Sequence, residues 1–134
     1  MARVLALTRD LLFGSQVQGT LTLAGHDVEL IADELRLRER LAQADDGGVG
    51  GEDSGPAVDV LVVDLTDGEL EGAESVQSLA RDGQLAGVRT LGFYSHVEAA
   101  ARDRAERAGI ELVVPRSRMA REGVELVAGL LATP

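Results

Sequence analysis

The sequence predicts an α/β fold in which a parallel sheet carries helices on both faces, and three observations carry that expectation. Short apolar runs of strand length recur five times along the 134 residues. Between them lie segments whose apolar residues return every three or four positions, the period of a half-buried helix. The joins are short and marked by glycine, so strand and helix alternate without a break. With right-handed crossovers, five such units build one sheet rather than two separate layers of like elements.

The first strand lies within Arg3 to Thr8, around Val4-Leu5-Ala6-Leu7. Val17, Leu21 and Ala24 share one helical face within Gly14 to Ala24, and Gly25 closes that helix. Asp27 to Ala32 reads as the second strand, followed by an amphipathic helix over Asp33 to Ala44 that turns Leu37 and Leu41 inward. Gln43 to Ala57 differs in kind, with Gly47, Gly48, Gly50, Gly51 and Gly55, Pro56 and four acids. That composition predicts a flexible surface loop inside a single domain spanning 1–134. The third strand carries Val60-Leu61-Val62-Val63, an unbroken branched apolar run as expected of a parallel strand covered on both faces, with Asp64 at its carboxyl end. Ala73, Val76, Leu79 and Ala80 mark the third helix, and Val88 to Tyr94 the fourth strand. Ala100, Ala101, Arg104, Ala105 and Ala108 line one side of the fourth helix, ended by Gly109. Ile110 to Val114 is the fifth strand, and Met119, Val124, Val127 and Leu131 space out the closing helix.

Composition narrows the function. There is no cysteine, which removes disulfides, thiolate catalysis and cysteine-ligated metals. No apolar run reaches the roughly 20 residues of a membrane span, and the amino terminus lacks a secretion signal, so a cytoplasmic, membrane-free protein is expected. All 13 basic residues are arginine, against 23 acids, for a net charge of −10. Leu41 to Ala80 holds ten of the acids and no arginine. That imbalance argues against direct nucleic-acid binding, which wants a basic face, and leaves the acidic stretch as either a solvated surface or a docking surface for a basic partner.

In a parallel sheet the strand ends bring distant residues to one edge, where ligands bind. Thr8, Arg9 and Asp10 follow the first strand, Asp64 to Asp67 the third, Ser95-His96 the fourth and Pro115-Arg116-Ser117 the fifth. With Val60 to Leu65, Gly25-His26-Asp27-Val28, Ala108-Gly109-Ile110 and Ser95, the chain resembles the receiver domain of two-component response regulators over nearly its whole length. The resemblance implies a flavodoxin-like (βα)5 three-layer sandwich, with a five-stranded parallel sheet in the order 2-1-3-4-5. It also implies that Asp64 takes the place of the phosphoacceptor and Ser95 that of the hydroxyl that contacts the phosphoryl group.

Other positions depart from the family. Its Mg²⁺-binding acid pair falls on Thr8-Arg9, with only Asp10 near; its lysine falls on Arg116; its switching aromatic in strand five falls on Val113. Mg²⁺ requires hard oxygen ligands, and a guanidinium at Arg9 brings a fixed positive charge able to pair with Asp64 in the metal's stead. The expectation is a stand-alone, atypical pseudo-receiver without cofactor and without enzymatic turnover. It would signal through a protein partner or a homodimer formed by the fourth helix, fifth strand and fifth helix, whose charges include Arg102, Asp103, Glu106, Arg107, Arg118 and Arg121. Asp64 is then a structural acid held by Arg9 or Arg116 and by loop amides, and Ser95 a helix cap. Two alternatives stand beside it. One is a phosphorylatable regulator in which Asp10, Asp64 and Asp67 hold Mg²⁺. The other is a small-anion or nucleotide module cradled by Arg9, Ser95 and Arg116. His26 and His96 read as turn or surface residues.

Overall fold

The computed structural model describes residues 2–45, 57–67, 69–95 and 99–132. Strands β1 (Arg3–Leu7), β2 (Asp27–Ile31), β3 (Val60–Asp64), β4 (Arg89–Tyr94) and β5 (Leu112–Pro115) alternate with helices α1 (Leu11–Leu23), α2 (Glu34–Asp45), α3 (Gly72–Arg81), α4 (Ala99–Arg107) and α5 (Arg116–Ala132). All pairings are parallel and the order is β2-β1-β3-β4-β5, the flavodoxin-like arrangement expected. β3 is therefore central, and all five of its residues are buried, which is why Val60 to Val63 form a continuous apolar run rather than an alternating one, with Asp64 closing the strand.

The sheet separates two apolar layers. On one face Phe13, Val17 and Leu21 of α1 and Met119, Leu126, Val127 and Leu130 of α5 cover Val4, Val60, Val62, Leu91 and Phe93. On the other, Leu37 and Leu41 of α2, Val76 and Leu79 of α3, and Ala101 and Ala105 of α4 cover Leu5, Leu7, Leu61 and Val63. Burying one such Leu or Phe contributes roughly 1.5–3 kcal/mol. Alternate residues along β1 and β3 thus anchor opposite layers.

α1 ends in a Schellman turn: the His26 amide donates to the Leu21 carbonyl and the Gly25 amide to that of Thr22, with Gly25 at φ 98°. α4 closes in the same way at Gly109, at φ 95°.

Several expected boundaries and faces move. α1 starts three residues before Gly14, because Asp10 caps it by accepting from the Phe13 amide, and its inward set is Phe13, Gly14, Val17 and Leu21, with Ala24 exposed. α2 continues through Gln43 to Asp45, into the segment expected to be loop; residues 46–56 of that segment lie outside the described residues, as does His96. In α4 the inward residues are Ala101 and Ala105, while Ala100 and Arg104 face solvent. β5 begins at Leu112, since Ile110 is drawn under α4 by the hydrogen bond its amide donates to the Ala105 carbonyl. In α5 the register turns Leu130 inward and leaves Leu131 exposed. No helix among the described residues is long and apolar enough to cross a membrane.

Candidate functional site

The register of the sheet assembles the site. Leu7 pairs with Val63 and Asp64 with Phe93, so the residue after β1, Thr8, stands beside the last residue of the central strand. Asp64 is 1% exposed. A carboxylate taken from water needs donors on both oxygens, and it has three. Its Oδ2 accepts from the Thr8 hydroxyl at 2.7 Å, and its Oδ1 accepts from the Thr66 amide at 2.8 Å and the Thr66 hydroxyl at 2.6 Å. The hydrogen bond from the amide two residues ahead closes an Asx turn, which folds the chain back over its own acid. Thr8 is fixed in turn: its amide donates to the Ile31 carbonyl and its hydroxyl accepts from the Asp10 amide at 3.1 Å.

The expectation that arginine holds Asp64 is corrected here. Arg9 donates from Nε to Asp67 Oδ2 at 2.7 Å and from Nη2 to Asp67 Oδ1 at 2.9 Å, a two-point fork, and reaches Glu69 at 3.2 Å. Arg116 donates to Asp10 Oδ2 at 2.9 Å and lies over the Phe13 ring, 4.4 Å from its centre. Both guanidiniums stay in the outer, solvent-facing layer, because a half-exposed carboxylate offers the same charge without stripping water from the guanidinium. The Arg9 bonds push the Asp67 carboxyl below the ordinary 3.8, and the same bonds push the Arg9 guanidinium further up.

An open depression at this edge is lined by Arg9, Asp10, Asp64, Thr66, Asp67 and Glu69. Its donor set does not fit Mg²⁺. Asp10, the nearest acid after β1, caps α1 with one oxygen and binds Arg116 with the other, and Asp67 is held by Arg9. Among the described residues no three histidine or acidic side chains are grouped as a metal would need. Neither does the anion cradle of Arg9, Ser95 and Arg116 form as expected, since each guanidinium is bound by a carboxylate. Ser95 follows β4, half-buried, two residues beyond the register partner of Asp64; residues 96–98, where a cap for α4 would fall, lie outside the described residues. Val113 is half-buried against the α2–α4 layer.

Three further residues shape the site. Thr66 was available as the D-x-T spacing of an Asx turn, and Phe13 as an apolar residue one turn into a helix capped by Asp10. Gly72 had no local signal. It starts α3 so close to β3 that an added Cβ would sit 2.7 Å from Val63 Cγ1 and 2.9 Å from the Asp64 carbonyl.

No family model matches the sequence, and no curated protein matches it. Solved structures do match the fold. The receiver domain of the TMAO respiratory system response regulator TorR superposes with a TM-score of 0.78 at 18% identity, over 98% of this chain and 97% of that one. The Vibrio cholerae chemotaxis protein CheY4 gives 0.73 at 22% identity, over 98% and 99%. The receiver domain of the putative response regulator NarL from Mycobacterium tuberculosis gives 0.72 at 19% identity, over 99% and 98%. The chain has the receiver-domain fold from end to end.

Proposed function

We propose that this chain is an atypical receiver-type signalling domain that acts by protein–protein interaction and is not phosphorylated at Asp64. One observation carries the reading: both oxygens of Asp64 are occupied by Thr8 and Thr66 inside a side chain that is 1% exposed. Phosphoryl transfer asks for an oxygen open to in-line attack and for cationic groups that neutralise the charge developing on the donor. Here the oxygens point at hydroxyls, the Arg9 guanidinium is committed to Asp67 and Glu69, and Arg116 to Asp10. Such a centre stiffens the edge of the sheet, and the reading assigns it no turnover, no cofactor and a cytoplasmic setting.

The partner face in this reading is α4, β5 and α5. Arg102, Asp103, Glu106, Arg107, Arg118 and Arg121 are all exposed there. Arg102 pairs with Glu106 at 3.2 Å and Arg118 with Glu122 at 3.4 Å, each one turn along its own helix. Exposed pairs of this kind are weak, so they open at little expense to meet a mixed-charge surface on another protein.

The test is incubation with Mg²⁺ and acetyl phosphate or beryllofluoride, read by intact mass and by amide NMR, with a phosphorylatable receiver in parallel. The expected result is no adduct and no shift around Asp64 while the control reacts. Stoichiometric phosphate on Asp64 would overturn the proposal in favour of a phosphorylatable regulator.

A further inference from the structure

α1 is unlike the other helices in what it shows to solvent. From Leu11 to Gly25 there is no charged residue, in a chain with 36 of them. Exposed ionic groups stand on each of the others, among them Arg36 and Glu39 on α2, Glu74 and Arg81 on α3, Arg102 and Glu106 on α4, and Arg118 and Arg121 on α5. On α1, Leu11, Leu12 and Leu23 are 75%, 83% and 92% exposed. Leu12, Gln16, Gly19 and Leu23 follow one another at spacings of four, three and four residues, the spacing of a two-helix seam. They lie on one stripe, turned away from the buried Phe13, Gly14, Val17 and Leu21.

Gly19 is a separate observation. A glycine inside a helix weakens it relative to alanine, and close packing against a neighbour is its usual compensation. Within this molecule there is no such neighbour among the described residues: a Cβ added at Gly19 would have nothing within 4 Å. The position is open where the helix faces outward.

We infer that α1 is the contact face of a homodimer, packed antiparallel against α1 of a second copy across a twofold axis. Charge selects that occupant. Two molecules of net charge −10 repel wherever their charged faces meet, and a charged partner would lose water from its ions against this stripe without gaining a counter-ion. A surface as free of charge as α1 itself is the complement, and the second copy supplies it. Twofold symmetry then fixes the register, because the two stripes must match when one is reversed. Leu12 meets Leu23 of the second copy and Gln16 meets Gly19. Gly19 makes room for the Gln16 side chain and lets the axes approach. This face uses none of the residues named on the α4–β5–α5 partner face.

A single helix pair is a small interface, with a dissociation constant on the order of 100 µM. Sedimentation from about 10 µM to about 1 mM brackets that value, and the wild-type chain is expected to pass from monomer to dimer across the range. Added salt is expected to strengthen the dimer by screening the like net charges, whereas ion-paired faces would separate. Leu12→Glu and Leu23→Arg, both at exposed positions, are each expected to remain folded by circular dichroism and monomeric throughout. Mixed in equal amounts they are expected to recover association to within about threefold of wild type, since opposite charges then face each other at one end and the leucines at the other. A wild-type chain that stays monomeric, single variants that dimerise as wild type does, a dimer that salt dissolves, or a mixture that stays monomeric would each overturn the inference.

Discussion

Asp64 and Asp67 are three residues apart on one strand-to-helix turn, and they are held by different chemistry. The inner acid is buried and takes three hydrogen bonds from neutral donors, two of them from Thr66. The outer acid is only partly buried and takes a guanidinium fork from Arg9 together with the amides of Glu69 and Leu70. Depth decides between the two. A guanidinium drawn beside Asp64 would have to shed its water, and its remaining N–H groups would need partners in an apolar layer. A threonine hydroxyl brings one donor and a methyl group that packs. The outer pair can be screened, hydrated or exchanged with small consequence, while the inner one is locked. In the function proposed above, the strand-end acid serves architecture alone.

The largest effect should come from disturbing the inner layer through the backbone. Gly72→Ala places a methyl against Val63 Cγ1 and the Asp64 carbonyl, and backbone cannot swing aside as a side-chain end can. We expect a loss of about 3 kcal/mol in urea denaturation, the upper end for overpacking. Gly92→Ala is the control. Its nearest atom is the flexible end of Leu65 at 2.8 Å, so its loss should be smaller, about 1–2 kcal/mol. Equal losses would show that the closeness of α3 to Asp64 is incidental.

Thr8→Val comes next. Valine keeps the shape but leaves Asp64 Oδ2 without its donor and the Asp10 amide without its acceptor. A loss of about 2 kcal/mol is expected for a buried partner left unsatisfied. A midpoint unchanged from wild type would mean that water replaces the hydroxyl, and that the inner acid is less enclosed than its burial indicates.

The contrast between the layers also marks what the sequence made legible. The fold was readable because each signal was local and repeated: β3 announced a central strand by its unbroken run, and Gly25 and Gly109 announced helix ends by the left-handed turn they permit. Asp64 was placed correctly at the end of β3 for the same reason. Its partners were not, because charge in a sequence carries no depth. Arg9 and Arg116 are the conspicuous cations near the acid, and only the register of β1 against β3 shows that Thr8 stands beside it while both arginines point outward. The start of α1 was misjudged because its first two residues, Leu11 and Leu12, are exposed and lie off the inward face that Val17 and Leu21 mark, which hid the cap that Asp10 provides. Gly72 was silent altogether, since its role depends on a distance between α3 and β3 that no neighbouring residue encodes.

The smallest effect lies in the outer layer and is best seen through pH. Asp67 titrates below the ordinary 3.8 because Arg9 bonds its charged form, so folding gains stability from this group above the unfolded value. As pH falls from about 4 through the lower folded value, the carboxyl is protonated and that gain is lost. Arg9→Gln removes the cause. In the variant the Asp67 carboxyl resonance should move its midpoint up toward 3.8 in an NMR titration, and the acid limb of the stability curve should flatten by the share that belonged to this pair. At neutral pH the variant should unfold close to wild type, since exposed ion pairs contribute little. An Asp67 midpoint that stays put without Arg9 would assign the depression to the amides of Glu69 and Leu70. The outer layer would then be held by its own turn, as the inner one is by Thr66, and the division between the two would rest on burial rather than on the kind of donor.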